Sequence, residues 1–436
     1  MTPAIHRRLL LTRGLALSAA VCAAKPRPVH AADAPAQGDV AAKPAPARPA
    51  WPVWDQSDAD GLVAVLDSGQ WGRLGGTRVA QFEEALRERM RARFCIATSS
   101  GTSALLTALG ALNIGPGDEV ILPPYTFVAT FNAITASFAL PVFADSDLQS
   151  FQIDAQQVAA AINDRTRLIL PVHIGGTPCD LNAIGRVAGE HHIPVIEDAC
   201  QAPLAEWRGQ PVGTLGLGGC FSFQASKNLN SGEGGAVVTN DETFAHQCYN
   251  YHTPGNPRPV PSLGRGANFR LTEFQGSLLL TQLARVAAQS KLRDENAAYL
   301  SQLISEIPGI QPAAWYEGCT RSAWHLFMFR YDAEQFGGLS REMFLKQLRE
   351  AGIGASSGYT SLDRSPHVQS LVDNPHYQRI YGSDFMKRWS QANRCPVNDQ
   401  LCQQAVWLPQ HVLLQSRSQM KRIAASMADI RHRATT

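Results

Sequence analysis

The 436-residue chain has no apolar run approaching the roughly 20 residues that cross a bilayer, so no membrane-spanning helix is expected. It also lacks blocks of basic residues. Lys and Arg total 39 against 37 Asp and Glu, a net charge of +2 spread along the chain. Nucleic acids and anionic membranes select clustered positive charge, so neither is expected as a partner. None of the nine cysteines forms a CxxC pair, which argues against a zinc or thioredoxin-type site, and nine are too few to frame a chain this long with disulfides. Cys95 and Cys220 sit in apolar strand-like runs, where a packed, reduced thiol is the ordinary reading. No G-x-G-x-x-G follows the first strand pattern, which removes the usual signal of a nicotinamide oxidoreductase. What is present is 44% apolar residues, enough for a large core around a small-molecule site.

Residues 1–50 differ from the rest. A basic HRR start, an apolar stretch and the small-residue site Val29-His30-Ala31 read as a signal peptide over residues 1–32. Arg7-Arg8 followed by leucines gives it a twin-arginine character, implying export to the periplasm. Arg13 within the apolar segment, with Lys25 and Arg27 after it, leaves a cytoplasmic protein with an Ala/Pro leader as the alternative. Residues 33–50 read as an Ala/Pro-rich extended linker.

From about Ala80 helical and strand patterns alternate, and the strands (VILPP, RLILPV, PVIEDA) are continuously apolar. That pattern specifies a mainly parallel sheet covered on both faces. Two long helical stretches are expected between about Leu271 and Ile307. Beyond them, strands such as WHLFMFRYD alternate with helices such as SREMFLKQLREAG. The expected organisation is a large α/β domain over 51–290 and a smaller α+β domain over 291–436.

The residues able to carry chemistry fall at strand ends, where open parallel sheets bind ligands. Ser99-Ser100-Gly101-Thr102-Ser103 joins a strand to a helix N-terminus, whose free N–H groups suit a phosphate; the same residues also serve as ordinary helix caps. Asp198 closes the strand VIEDA, as an ion-pairing carboxylate or as another cap. Lys227 follows an apolar strand in FSFQASKNLNSGEGG, either desolvated and nucleophilic or a surface lysine on a polar loop. Their order matches the needs of pyridoxal phosphate: an anion cradle, a carboxylate for the pyridinium nitrogen, and a lysine for the Schiff base.

The segments SSGTSALLTALGAL, GDEVILPPYTFVATFNAI, PVHIGGTPCDL, VIEDACQAP, GCFSFQASKNLNSGEGGAVVTND and NFRLTEFQGSLLLTQL resemble the DegT/DnrJ/EryC1/StrS aminotransferases. The resemblance runs from about Trp71 to the C-terminus. It implies the aspartate-aminotransferase-like fold type I, with a seven-stranded-type sheet, and pyridoxal 5'-phosphate as cofactor. It further implies Lys227 as the Schiff-base lysine, Asp198 on the ring nitrogen and Gln201 on the phenolic oxygen. Gly101, Thr102 and Ser222 would hold the phosphate, and Phe127 would stack on the ring, with Tyr125 a second candidate; by residue type alone Phe127 is core. Asn268 would be given to the phosphate of the neighbouring subunit, making a homodimer with a shared site.

Where sugar aminotransferases of the family commonly read H-L-Y-G, this chain has His173-Ile174-Gly175-Gly176. Loss of the tyrosine is expected to remove a hydroxyl and open space. The ending AVWLPQHVLL resembles members acting on cyclitols, such as glutamine:scyllo-inosose aminotransferases. Lys227 argues against the family's dehydratases, which carry histidine there. The implied reaction moves an amino group from glutamate or glutamine to a keto-sugar or cyclitol ketone. A cofactor-binding sensor of the same fold, without turnover, is the alternative.

Overall fold

The computed structural model describes residues 51–255 and 257–436. The expected signal peptide (1–32) and linker (33–50) lie outside them.

Short apolar strands separated by helices build the main layer, as alternation of the two patterns requires. The strands are β1 (Phe94–Thr98), β2 (Glu119–Leu122), β3 (Leu140–Phe143), β4 (Thr166–Ile169), β5 (Ile196–Asp198), β6 (Gly218–Ser222) and β7 (Gly235–Thr239). A three-stranded sheet, β3-β2-β4, and a four-stranded one, β5-β6-β7-β1, join through the parallel bridges Ile169–Val195 and Val172–Asp198. The result is one seven-stranded sheet in which β7 alone runs against the others. β7 follows β6 with no helix between, so no crossover exists to make it parallel.

Adjacent strand residues point to opposite faces. Ala97, Ile121, Ile169 and Phe221 join one core, and their neighbours Ile96, Val120, Leu168 and Cys220 join another. A sheet buried on both faces explains strands without polar alternation. The first face is covered by helices that include α2 (Arg78–Arg89), with α1 (Gln56–Ser68) packed on the long helix Glu273–Ser305, and the second by α3 (Gly101–Ala111) and α4 (Val128–Thr135) among others.

Glu273–Ser305 is a single helix of 33 residues, which corrects the expectation of two helical stretches between Leu271 and Ile307. No proline or glycine interrupts the segment RVAAQSKLRDENAA, so the helix has no reason to stop. A capping box between Thr272 and Gln275 starts it. Leu279, Leu283 and Val286 pack with Val79, Phe82 and Leu86; Ala297, Leu300 and Ile304 pack into a separate core with Phe327, Phe344 and Val406. That second core covers an antiparallel sheet of β8 (Ile310–Pro312), β9 (Leu326–Tyr331) and β10 (Ala405–Pro409), in the order β8-β9-β10. Leu362, Val368, Tyr377 and Trp389, from short helices between residues 362 and 395, pack instead on the face that carries α3 and α4.

Candidate active site

Because six strands share a direction, the ends of β1, β5 and β6 open onto one side, and a cavity of about 490 Å³ lies there. Gly101, Thr102, Phe127, Asp198, Gln201, Ser222 and Lys227 all line it. Of the cofactor residues that the family resemblance implies, Asn268 and the second ring candidate Tyr125 do not. Asn268 is exposed, and its Oδ1 accepts the Arg270 N–H at 3.4 Å. Tyr125 is buried beneath the wall, its hydroxyl accepting the Trp407 indole N–H at 3.1 Å.

The anion cradle is built where α3 leaves β1. Ser100 caps the helix, its Oγ accepting the Ser103 N–H at 3.0 Å, and Gly101 and Thr102, in the first helical turn where N–H groups lack helical partners, line the cavity. Gly101 cannot carry a side chain: a Cβ there would lie 2.7 Å from Ser222 Cβ and 3.0 Å from Cys200 Sγ. On β7, a Cβ at Gly235 would lie 2.2 Å from the Ser100 carbonyl oxygen. Both glycines are therefore required by close approach of backbone to this turn.

Asp198 is 3% exposed at the end of β5. The Thr130 hydroxyl donates to its Oδ2 at 2.8 Å and the Cys200 N–H to its Oδ1 at 3.2 Å. These donors fix the orientation of the carboxylate at the cavity wall. Glu197, its neighbour in sequence, points to the other face. There it accepts N–H groups of Gly213, Leu215 and Gly216 at 2.6–2.9 Å and lies 2.9 Å from His173 Nε2. A fully buried acid with four partners is a structural tie between strand and turn.

Lys227 is half-buried on the wall, in a turn closed by its own N–H to the Gln224 carbonyl at 2.8 Å. Desolvation lowers its ammonium below the ordinary lysine value, against the opposing fields of Cys200 and Asp198. The amine is thereby shifted towards its nucleophilic form. Gln201 is held on both sides: its Oε1 accepts the Gly175 N–H at 2.8 Å, and its Nε2 donates to the Tyr359 hydroxyl at 3.0 Å. Phe127 is 57% exposed, so it is not the core residue its type alone suggests. It stands at the N-terminus of α4 over the cavity.

The glycines at 175 and 176 do not open space, contrary to expectation. Gly175 is buried with φ +68°, and a Cβ on it would lie 2.5 Å from the Met328 thioether methyl. A flexible methionine fills the room a side chain would need.

Several residues of the site were not singled out from the sequence. Thr130 and Tyr359 orient Asp198 and Gln201. His325 lies 3.5 Å from Lys227 Nζ through its Nε2. Trp407 and Leu326 complete the wall. A histidine inside the apolar run WHLFMF is a visible anomaly. Thr130 and Tyr359 leave no comparable signal, being set by helix phase and loop path.

The fold and the site together define an aminotransferase of the aspartate-aminotransferase fold type I. The chain belongs to the DegT/DnrJ/EryC1/StrS aminotransferase family, whose model matches residues 53–428. It is 35% identical over 401 residues to 3-amino-5-hydroxybenzoate synthase of Amycolatopsis mediterranei, covering 90% of this chain and all of the relative. It is 34% identical over 403 residues to L-glutamine:2-deoxy-scyllo-inosose aminotransferase of Streptoalloteichus tenebrarius, covering 87% of this chain and 94% of that protein. Among solved structures, 3-amino-5-hydroxybenzoic acid synthase superposes with a TM-score of 0.77 at 33% identity, covering 89% of this chain and all of the other. An aminotransferase from Psychrobacter cryohalolentis gives 0.78 at 28% identity, covering 88% and 99%.

Proposed function

We propose that this aminotransferase binds pyridoxal 5'-phosphate at the ends of β1, β5 and β6 and moves an amino group from glutamate or glutamine to a cyclitol ketone or keto-sugar. The observation that carries this reading is a single cavity walled by an anion cradle, a buried carboxylate and a desolvated amine. The residues present fit the cofactor: without a Cβ, Gly101 lets the turn pack against Ser222, and Gly101, Thr102 and Ser222 line the cavity together at the start of α3, where N–H and hydroxyl groups suit phosphate oxygens. When bound, the cofactor supplies an electron sink for the bond to the donor's α-hydrogen.

The chain's own groups do the rest. Gly101, Thr102 and Ser222 hold the phosphate. Asp198, fixed by Thr130, keeps a proton on the ring nitrogen, and Gln201 faces the phenolic oxygen. Phe127 covers the ring face. Lys227 Nζ takes the proton from the donor's α-carbon and returns it on the far side of the transfer. Relatives named for L-glutamine and scyllo-inosose ketones support this donor and acceptor class. The working unit is a homodimer in which Asn268, exposed on its own chain, reaches the neighbour's phosphate. Export by a twin-arginine route rests on the Arg7-Arg8 leader alone.

The test is the half-reaction. Purified, cofactor-loaded protein should show a visible absorption band that L-glutamine or L-glutamate bleaches, and the bleached protein should regain it on adding an inosose. Lys227→Ala should lack that band. A colourless loaded protein sinks the cofactor assignment. A band that neither amino acid changes would favour the non-catalytic sensor.

A further inference from the structure

His325 faces Lys227 from the second sheet, and its tautomer follows from its partners. Asn228 Nδ2 donates to the Ala323 carbonyl at 2.6 Å, which turns Asn228 Oδ1 towards His325 Nδ1 at 3.3 Å. An amide oxygen only accepts, so Nδ1 carries the imidazole hydrogen. Nε2 is then a bare lone pair, and it is the atom that lies 3.5 Å from Lys227 Nζ. A lysine amine has hydrogens to donate in either protonation state, so the pair is complementary.

The surrounding backbone is bent to make this approach. Trp324, immediately before His325, has φ +56°, a left-handed conformation costly for a large L-residue. It is held there by its indole N–H to Asp294 Oδ1 at 2.9 Å and by a stacked contact with Phe327, ring centroids 5.8 Å apart. On the other side, the Gln410 N–H donates to the His325 carbonyl at 3.1 Å. Left-handed backbone at a cavity wall, tied at both flanks, aims one side chain.

We propose that His325, in its Nδ1-protonated tautomer, is a positioning residue whose Nε2 lone pair holds Lys227 Nζ whenever that amine is not covalently engaged. The inference builds on the reading of Lys227 as the residue that carries the cofactor. An amine released during turnover swings on a four-carbon stem, and an acceptor at a fixed place returns it to one position for each proton transfer. The charged and titratable groups facing the pair are few. Asp198 and Cys200 act on Lys227 from the end of β5, and burial pushes the Cys200 thiol well up, so it stays neutral. Arg293, on the long helix, acts on His325. Burial, reinforced by the Lys227 and Arg293 charges, keeps the imidazole well below its ordinary value and therefore an acceptor.

The experiment reads Lys227 in cofactor-free protein. Its rate of acylation by a small activated ester is followed site by site, by mass spectrometry, from pH 6 to 11. His325→Asn keeps a polar atom near Nδ1 but cannot reach Lys227, whereas His325→Gln places an amide oxygen near Nε2. An acceptor favours the ammonium, so His325→Asn should lower the midpoint of Lys227 reactivity by about one pH unit, a tenfold change in the amine's proton affinity. His325→Gln should stay close to the wild-type midpoint. A purely structural histidine would move both variants alike or neither, and either result overturns the proposal. The absorption band of loaded wild-type protein is recorded beside it. Its absence refutes the cofactor reading. Its presence with an unmoved midpoint refutes only the pairing of His325 with Lys227.

Discussion

The Thr130 hydroxyl donates to Asp198 Oδ2 at 2.8 Å, so a side chain on α4 holds the carboxylate that ends β5. Helix and strand are 68 residues apart in the chain, and the bond is buried. Thr130→Val keeps the shape and removes the donor. A hydrogen bond to a buried charge is worth about 1.5–3 kcal/mol. The expected outcome is a ten- to hundredfold lower kcat/KM, roughly, with an unchanged far-UV spectrum. Wild-type kinetics in that variant would remove Thr130 from the account.

Gly101→Ala tests the cradle. The added methyl would meet Ser222 Cβ at 2.7 Å and Cys200 Sγ at 3.0 Å, so the turn must shift to take it. Overpacking of this kind costs about 1–3 kcal/mol, so pyridoxal phosphate should bind about ten- to a hundredfold more weakly by equilibrium titration. The same change at Gly185, where nothing lies within 4 Å of the added atom, should leave affinity alone.

Acid should weaken the fold through His252. Its imidazole is fully buried, with Nδ1 2.9 Å from the Tyr249 carbonyl and Nε2 accepting the Thr253 hydroxyl at 3.0 Å, so the ring is neutral. Burial, aided by the charge on Arg73, lowers its value to about 3. The unfolded chain binds a proton near pH 6.5 that the folded chain refuses, so stability is full above pH 6.5 and falls as pH drops towards 3. Between pH 7 and pH 5 this one group contributes a loss of about 2 kcal/mol. Urea titrations at both pH values should show His252→Gln losing correspondingly less than wild type.

A shared site predicts complementation. Lys227→Ala and Asn268→Ala protein, each inactive alone, should regain activity when mixed, dissociated and reassembled. Random pairing makes half the dimers mixed, each with one complete site, so recovery should approach about a quarter of wild type. No recovery, with mixed dimers shown by mass, would place Asn268 outside the neighbour's site.

Much of the site was legible because each of its groups lies at a strand end and violates an expectation. Lys227 follows an apolar strand, Asp198 closes one, and Gly101 opens a helix where alanine would serve better. VIEDA offers two adjacent acids, and period two separates them: Asp198 faces the cavity and Glu197 the turn at residues 213–216. The choice between them rested on position in the strand. The loss of a tyrosine at Gly175 was legible as well, but its consequence was not, because Met328 lies 153 positions further along the chain and only the packed sheet brings it there.

The sequence by itself determined the alternation of elements, the serine- and glycine-rich turn at a helix start, and the order of carboxylate and lysine, because these follow from local periodicity and residue chemistry. Tertiary structure alone decided that one helix serves two cores. It also decided that Thr130, Tyr359 and His325 orient Asp198, Gln201 and Lys227. Those contacts join residues 68, 158 and 98 positions apart, and no local pattern encodes a distance closed only by packing.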